Sequence, residues 1–231
     1  MNIVVNGGTK GIGREIVKIF SAENSNKILV TGRDTKLLEQ LATDAKYGNI
    51  YTQTIDLEEF DRYQDYLVAA VSKIVKSIDI LINNAGMLVT EDFMAFDVKE
   101  ARKMMETNFW GPASTIRLLK PLMKNGSHIV SISSMGGYQG SSKFRGMSFY
   151  SASKAALSCL SECLAEEFRE AGISVNCLAL GSVNTEMFQK AFPGYKAAVS
   201  AAEMAEFIVN FAVNGGKLFN GKVLPVALNT P

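Results

Sequence analysis

The stretch VVNGGTKGIG (residues 4–13) decides how the chain folds. It leaves an apolar, β-branched segment, carries glycines spaced G-x-x-x-G-x-G at positions 7, 11 and 13, and continues into helix-like sequence. Glycines permit a tight turn and let backbone amides approach a phosphate, which the positive end of the helix dipole attracts. The pattern predicts a dinucleotide-binding turn, with a simple packing turn as the alternative. The predicted nucleotide contacts are Gly7, Thr9, Lys10, Gly11, Ile12 and Gly13.

The end of the second predicted strand indicates which dinucleotide is bound. About twenty residues after Gly13, where an Asp or Glu would bind the ribose diol of NAD, the sequence reads Gly32-Arg33 and then Asp34. Arg33 can bind a 2′-phosphate, and Lys10 would bring a second cation to the same group. We therefore expect NADP(H) to be preferred over NAD(H). The alternative is that both cations are solvated surface charges and that Asp34 contacts the ribose as well as capping its helix.

Seven short apolar segments alternate with stretches of helical periodicity. They are apolar at almost every position, as expected of strands whose two faces are both covered by helices. This alternation predicts an α/β fold: a Rossmann-like, doubly wound, seven-stranded and mostly parallel sheet with helices on both faces. Since no linker or repeat divides the sequence, residues 1–231 are expected to form a single domain. The predicted strands are Ile3–Val5, Ile28–Thr31, Ile50–Ile55, Ile78–Ile82, His128–Ile132, Ser174–Leu180 and Val223–Val226.

Composition narrows the classes of partner. The 231 residues include 24 Lys and Arg against 23 Asp and Glu, so a net charge of +1 predicts no nucleic-acid or anionic-membrane surface. No basic, apolar leader precedes the first strand and no apolar run reaches the roughly 18 residues that span a bilayer, so we expect a cytoplasmic protein. His128 and the cysteines lack metal-ligand spacing, so no metal is expected. Cys159, Cys163 and Cys177 are predicted to be small buried hydrophobic residues.

A second informative stretch is FYSASKAAL (residues 149–157), which has Tyr150 four residues before Lys154 at the start of an alanine-rich helix. Residues i and i+4 of a helix point the same way, so the phenol and the ammonium would be neighbours. In a chain with this composition about 0.5 such pairs arise by chance. The spacing alone therefore does not distinguish a catalytic pair from two residues on one helix face.

Four motifs in order resolve this ambiguity. The glycine turn, NNAG at Asn83–Gly86, ISS at Ile132–Ser134 and YSASK at Tyr150–Lys154 follow one another along the chain. In these motifs the chain resembles the short-chain dehydrogenase/reductase family from about Asn2 to Val226. The resemblance implies an NAD(P)-dependent enzyme that transfers a hydride between nicotinamide and a small carbonyl or alcohol substrate. A catalytically silent NADP-binding regulatory or scaffold protein is the alternative, and the intact catalytic set weighs against it.

The resemblance implies four catalytic residues. Tyr150 would act as general acid or base, and the charge of Lys154 would lower the pKa of its phenol, which is near 10 in water. By the family pattern Lys154 also binds the nicotinamide ribose. Ser134 would bind the substrate oxygen, with Ser133 as the alternative. Asn108, in ETNFWG, matches the family asparagine that interrupts a long helix and relays protons through water to the lysine.

Further cofactor contacts follow from the same resemblance. In NNAG, Asn83 would join neighbouring strands, while a purely structural role is the alternative for Asn84. Asp56 would meet the adenine ring, although it can equally cap a helix. Leu180 replaces the family proline after the sixth strand. The implied contacts are Asp56, Leu57, Asn84, Ala85, Gly86, Tyr150, Lys154, Gly181, Val183 and Thr185.

The remaining segments limit the substrate and the assembly. The segment 184–200 is short for a substrate cap and contains Pro193-Gly194, which indicates a small mobile lid. From Phe149 to Ala165 the helix is apolar or small nearly all round, so a second covered face is expected, in a homodimer or homotetramer. Apolar residues at the nicotinamide end favour an apolar carbonyl or alcohol, although many of them can also serve packing. They are Met87, Leu88, Tyr138, Phe144, Met187, Phe188, Phe192 and Tyr195.

Overall fold

One parallel sheet runs through the protein. The computed structural model describes residues 1–228, except for the side chain of Phe60, so the predicted domain boundary at residue 231 lies outside the described residues. The strands are β1 (Asn2–Asn6), β2 (Lys27–Gly32), β3 (Ile50–Thr54), β4 (Ile78–Asn83), β5 (Met123–Ser134), β6 (Ser174–Leu180), β7 (Val183–Asn184), β8 (Val199–Ser200) and β9 (Val223–Val226). Seven of them form the main sheet in the order β3-β2-β1-β4-β5-β6-β9.

The main sheet confirms the predicted fold, and each predicted strand segment lies on one of its strands. Every neighbouring pair is parallel, so the sheet of the described residues is fully rather than mostly parallel. The largest difference in bounds is at β5, which begins at Met123 instead of His128. A register irregularity against β4, between Ile78 and Ile80, accommodates the exposed residues at its start.

Helices cover both faces of the sheet. They are α1 (Gly11–Ser21), α2 (Thr35–Thr43), α3 (Phe60–Ile74), α4 (Val98–Met105), α5 (Gly111–Leu119), α6 (Ser148–Glu167), α7 (Glu186–Ala191) and α8 (Ala201–Asn214). Alternate strand residues feed two separate cores. Ile3 and Val5 pack with residues of α1, α2 and α8, whereas Val4 packs with residues of α3, α5 and α6. This two-sided burial is why the strands are apolar at nearly every position.

Local residues explain where two of the helices begin and end. Asp34 caps α2 as predicted, because its Oδ1 accepts from the backbone N–H of Leu37 at 3.1 Å. Gly172 is left-handed, with φ +65°, a conformation that favours glycine. It follows the end of α6 at Glu167 after further turns, in which the amide of Gly172 donates to the carbonyl of Arg169.

The order of the strands fixes the location of the site. The chain moves outward from β1 to β3 and then crosses back to β4, so the direction of winding reverses between β1 and β4. In doubly wound sheets, ligands bind at the carboxyl edge beside such a reversal. The glycine turn follows β1, NNAG follows β4, and Ser134 ends β5. All three predicted motifs therefore lie at one edge of the sheet.

The predicted lid segment, residues 184–200, contains α7 between two short paired strands. Val183 and Asn184 of β7 pair with Val199 and Ser200 of β8, so the segment leaves and re-enters the fold at one point. Aromatic rings pack within it: the ring centroids of Phe188 and Phe192 are 5.1 Å apart. The segment is thus a compact loop that packs on its own aromatic side chains. Its closure over a ligand stays a prediction.

The cysteine prediction is correct for one of three residues. Cys177 is buried on β6, but Cys159 and Cys163 are exposed on α6. Their exposure corrects the prediction, because both lie on the face of α6 that points away from the sheet. Among residues 1–228, no helix is long and apolar enough to cross a membrane, and no group of three or more metal-ligating side chains comes together.

Candidate active site

The glycine turn packs tightly against the loop after β4. Gly7 has φ +77°, and a β-carbon there would lie 2.5 Å from Cα of Ala85. A β-carbon on Gly13 would lie 2.0 Å from the carbonyl oxygen of Gly7. The packing explanation for these two glycines is therefore real, and it coexists with the nucleotide explanation because α1 begins directly after this turn.

The start of α1 suits an anion. Its N-cap residue, Lys10, is extended and makes no side-chain capping bond among the described residues, and no acid occupies the first turn. The first amides of the helix are thus free to bind a phosphate. Thr9 lies against the end of β2, since its Cγ2 would be 2.9 Å from a β-carbon on Gly32, and Ile12 packs on the core. The residues present fit the pyrophosphate of a dinucleotide.

Lys10 and Arg33, the two cations predicted to bind a 2′-phosphate, each follow one residue of the Thr9–Gly32 contact. Each one already lies near a carboxylate. Nζ of Lys10 is 3.6 Å from Oε2 of Glu186, and Nη1 of Arg33 is 3.7 Å from Oε1 of Glu58. Both cations are well exposed, so both can reach a ligand at the carboxyl edge. Sequence reasoning missed the two glutamates, because nothing in their local sequence signals a long-range ion pair.

A row of polar side chains joins three strands beneath the site. Thr31 donates to Oδ1 of Asn6 at 2.8 Å, and Nδ2 of Asn6 donates to Oδ1 of Asn83 at 2.7 Å. Asn83 therefore joins neighbouring strands as predicted. Nδ2 of Asn84 donates to the carbonyl of Gly7 at 2.8 Å, which is the structural role considered for it and fixes the glycine turn.

The predicted adenine and nicotinamide contacts all lie at the carboxyl edge. Oδ1 of Asp56 accepts from the amide of Glu58 at 3.0 Å, so the alternative role as a cap is present. Leu57 is buried against α5. Thr185 caps α7 through the amide of Phe188 at 3.2 Å. The other predicted contacts near it are Gly181, which bonds to β9, and Val183, whose side chain enters the core.

Tyr150 and Lys154 lie one turn apart near the start of α6. Nζ of Lys154 is 6.0 Å from the centre of the Tyr150 ring and donates to the carbonyl of Ile132 at 2.9 Å. A β-carbon on Gly86 would lie 3.2 Å from this Nζ and 3.4 Å from Oδ1 of Asn108. Gly86 therefore leaves room for two polar groups that converge on the NNAG loop.

Burial governs the acidity of both groups. Burial raises the pKa of the Tyr150 phenol, and the nearby Ser134 hydroxyl lowers it by a smaller amount. Lys154 is 4% exposed, and burial lowers the pKa of its ammonium to about 8. We expected Lys154 to lower the pKa of Tyr150, but in the protein itself burial raises it. At neutral pH the phenol is neutral and the ammonium is still mostly charged.

Ser134 and Ser133 have different environments. Ser134 is half-buried, faces Tyr150 and accepts from the amide of Gly136 at 3.1 Å. Ser133 is buried; it donates to the carbonyl of Lys154 at 2.8 Å and accepts from Ser158 at 2.9 Å. The geometry favours Ser134 over Ser133 as the residue that meets a substrate oxygen. Ser133 and Ser158 instead hold the backbone of Lys154, a role that their sequence positions do not signal.

Asn108 interrupts the helix as predicted. It lies in a π-helical turn, Glu106–Trp110, between α4 and α5, and it is fully buried. Its Oδ1 accepts from the amide of Met87 at 2.7 Å, and its Nδ2 donates to the carbonyl of Met87 and to Ser153, both at 2.9 Å. Ser153, which sequence reasoning missed, donates in turn to the carbonyl of Tyr150 at 2.7 Å.

A cleft of about 680 Å³ borders the site between the loop after β4 and the loop before α6. It reaches Ser151, the neighbour of Tyr150. Arg145 binds Asp92 with an Nε–Oδ1 distance of 2.7 Å, and Lys143 donates to the carbonyl of Tyr138 at 2.7 Å. Both cations thus have protein partners, and the wall is largely apolar. Its apolar lining residues are Phe93, Met94, Phe144 and Met147.

Known proteins are similar to this chain in sequence. A family model described as short chain dehydrogenase matches residues 1–196. Dehydrogenase/reductase SDR family member 7B of Mus musculus is 35% identical over 80% of this chain and 58% of that protein. The protein of the same name from Danio rerio is 31% identical over 83% of this chain and 64% of that protein. The chain thus spans less than two thirds of the length of these two relatives. An uncharacterised oxidoreductase of Staphylococcus saprophyticus is 31% identical over 80% of this chain and 79% of its own length.

Solved structures of short-chain dehydrogenases/reductases are similar to this chain in fold. A short chain dehydrogenase/reductase family protein superposes with a TM-score of 0.85 at 26% identity, over 98% of this chain and 95% of its own. A short-chain dehydrogenase/reductase of Brucella melitensis has a TM-score of 0.89 over 100% of this chain and 96% of its own, and its 22% identity shows the fold alone. From the family match, the relatives and the shared fold together, the chain belongs to the short-chain dehydrogenase/reductase family of oxidoreductases.

Proposed function

We propose that this protein is an NADPH-dependent oxidoreductase that interconverts a carbonyl compound and its alcohol, with Tyr150 as general acid or base. The observation that carries the proposal is the convergence of Lys154 and Asn108 on the NNAG loop, with Tyr150 beside Lys154 and Ser134. Bound NADPH would supply the hydride to the carbonyl carbon. The chain itself would supply the binding site, the orientation and the proton.

The proton chemistry follows from the burial of the site. Ser134 would donate to the substrate oxygen and hold it at the Tyr150 hydroxyl. Tyr150 would give its proton to that oxygen as negative charge develops there, and the ammonium of Lys154 would stabilise the phenolate that remains. Asn108 holds the Met87 backbone beside Lys154, where water can return a proton to the site. The reverse reaction uses the same atoms.

The protonated state of Tyr150 is the one that a general acid needs in carbonyl reduction. A phenol whose pKa is raised by burial stays protonated and can act as an acid. Alcohol oxidation would require phenolate, which needs a higher pH or more positive charge nearby.

The proposed cofactor is NADP(H) rather than NAD(H). Members of this family bind NAD(P)(H), and here the end of β2 offers Arg33 while the glycine turn offers Lys10. An arginine and a lysine match the charge of a 2′-phosphate, which NAD lacks. The exposed fractions of their side chains, 74% and 60%, support access to a ligand.

The proposed substrate is a small apolar carbonyl compound, in keeping with the aromatic and methionine side chains of the cleft and of the lid. We further propose that the chain assembles as a homodimer or homotetramer through α6, whose outer face carries exposed small residues including Ala152, Ala155 and Cys159. A cytoplasmic location stays a prediction from the sequence.

One experiment tests the catalytic assignment. Apolar aldehydes and ketones are screened for NADPH oxidation with wild type, Tyr150→Phe and Tyr138→Phe. Tyr150→Phe should lower kcat by about 10²- to 10⁴-fold, because it removes the hydroxyl that carries the acidic proton, while the NADPH dissociation constant stays within about twofold. Tyr138→Phe removes a hydroxyl of the neighbouring loop and should retain most of the activity.

The possible outcomes are distinct. Unchanged turnover in Tyr150→Phe would show that another group donates the proton. Tight NADPH binding by the wild type without oxidation of any carbonyl tested would favour a silent regulatory or scaffold protein. Equal affinities for NADPH and NADH would contradict the cofactor assignment alone.

A further inference from the structure

The cations assigned to the 2′-phosphate have protein counter-ions. Arg33 lies 3.7 Å from Glu58, and Lys10 lies 3.6 Å from Glu186. Charged hydrogen bonds are about 2.7–2.9 Å long, so these are loose ion pairs that a stronger anion can displace. Neither carboxylate belongs to the motifs that identify the family.

The Arg33–Glu58 pair is asymmetric. The Glu58 side chain is 23% exposed and that of Arg33 is 74% exposed, so the carboxylate is held by the protein while the guanidinium can move. Burial raises the pKa of Glu58, the charge of Asp56 raises it further, and Arg33 opposes both. The charged form of Glu58 is therefore in an unfavourable position, and Arg33 is the nearby cation that compensates it most, ahead of Lys103. In the Lys10–Glu186 pair both side chains are exposed, 60% and 75%, so solvent weakens that attraction.

We propose that Glu58 is a cofactor-specificity residue, whose carboxylate competes with the 2′-phosphate of NADP for Arg33 and so limits the preference for NADP over NAD. The inference rests on the proposed function, since it requires Arg33 to bind that phosphate. Glu186 acts on Lys10 in the same sense, but more weakly because it is more exposed.

The physical reason is a difference between two bound states. When a 2′-phosphate binds Arg33, Glu58 loses its compensating cation and lies beside a second anion on the same guanidinium, so the two like charges repel. NAD brings no such phosphate and leaves the ion pair intact. Removal of the Glu58 charge should therefore strengthen NADPH binding and leave NADH binding unchanged.

The test measures dissociation constants of NADPH and NADH for wild type, Glu58→Gln, Glu186→Gln and Glu59→Gln at low ionic strength, where charges are screened least. Glu59→Gln is the matched control, because it removes the same charge at the next residue. The Glu59 carboxylate pairs with Arg62 at 3.1 Å and not with Arg33. Glu58→Gln should bind NADPH roughly threefold to tenfold more tightly, with NADH within about twofold of wild type. Glu186→Gln should show a smaller change, and Glu59→Gln less than about twofold.

An Arg33→Ala variant distinguishes failure of the proposed NADP preference from failure of the proposed role of Glu58. If wild type does not prefer NADPH and Arg33→Ala alters neither affinity, the proposed cofactor preference is wrong. If wild type prefers NADPH through Arg33, the inference is overturned when Glu58→Gln leaves that preference unchanged or weakens it. A weaker preference would mean that Glu58 positions Arg33. Equal gains in Glu58→Gln and Glu59→Gln would also overturn it, because they would reflect overall charge.

Discussion

Asn108 connects three parts of the candidate site through one side chain. Its amide satisfies both backbone groups of Met87 and also reaches Ser153 on α6. Because Asn108 is fully buried, water does not easily replace it. A residue implied as part of a proton relay is therefore also a structural connection between the NNAG loop and α6.

We expect Asn108→Leu to lower the free energy of unfolding by about 2–3 kcal/mol. The substitution keeps the branching of the side chain but leaves the N–H and C=O of Met87 without their partner, and an unpaired buried polar group costs about 1–3 kcal/mol. Ser153→Ala, which removes one bond of the same set, should cost about 1 kcal/mol. Urea unfolding of both variants measures the difference.

The outcome also separates structure from catalysis. If Asn108→Leu unfolds like the wild type, the bonds to Met87 contribute little and the asparagine acts only in proton transfer. If stability falls and NADPH oxidation is lost even where the variant is fully folded, both roles are present.

The predictions for single residues succeeded where a helix or a motif sets the geometry. The i, i+4 spacing brought Lys154 to within 6.0 Å of the Tyr150 ring centre because both lie on α6. The raised pKa of Tyr150 was not foreseen, because burial depends on how distant segments pack. Glu58 was missed for the same reason, since its contact with Arg33 joins the ends of two different strands.

Elements at the opposite edge of the sheet are tied together by His128. Its Nδ1 lies 2.9 Å from the carbonyl of Ala212 on α8, and its Nε2 lies 3.0 Å from Nδ2 of Asn176 on β6. The Asn176 amide is oriented by two further bonds, to Phe219 O at 2.8 Å and from Lys222 N at 3.1 Å. These contacts assign the neutral tautomer with hydrogen on Nδ1. Burial lowers the pKa of His128, and the bond to Ala212 opposes this shift.

The stability of this arrangement should decrease in mild acid. The imidazole has a pKa near 6.5 in the unfolded chain and a lower one in the fold, so the unfolded state binds the proton first. Stability is full above about pH 6.5 and falls below it by up to about 1.4 kcal/mol per pH unit, until the folded pKa is reached. Urea unfolding between pH 7.5 and pH 5, about one unit above and about 1.5 units below the pKa of the unfolded chain, measures the slope.

His128→Gln provides the control, because glutamine does not titrate and the difference in slope isolates the imidazole. Since the chain has one histidine, its ring protons in an NMR spectrum also report the folded pKa directly. A folded His128 that titrates at pH 6.5 or above would contradict the assignment, whether or not the glutamine variant is stable.

At the scale of elements, the strands of the sheet were predictable and the connections less so. The apolar segments identified all seven strands because two-sided burial leaves a continuous pattern. The π-helical turn at Glu106–Trp110 has no simple periodicity, and only the resemblance pointed to an interruption there. The β7–β8 pairing was missed because strands of two residues carry too little pattern to be recognised.

For the molecule as a whole, the outer face of α6 is the feature that the chain alone leaves unexplained. Ala152, Ala155, Cys159 and Cys163 recur at helical spacing and are exposed, on a helix whose inner face packs on the sheet. Cysteine is among the residue types most often buried in folded proteins. A second copy packed by a two-fold axis on α6 would cover this face, and small side chains would allow a close approach.

Assembly and thiol reactivity should therefore change together. We expect wild type to sediment as a dimer or tetramer in which the thiols of Cys159 and Cys163 react slowly with a colorimetric disulfide reagent. Ala155→Arg should dissociate it, because residues near a two-fold axis meet their own copies and two guanidinium groups repel. Two thiols should then react rapidly, with Cys163 the slower, since the adjacent Cys159 raises its pKa. Cys177, which is buried, should react only on unfolding.

Ala202→Arg, an exposed position on α8, should leave both properties unchanged. A monomeric wild type with two fast thiols would show that α6 faces solvent and that the proposed assembly is wrong.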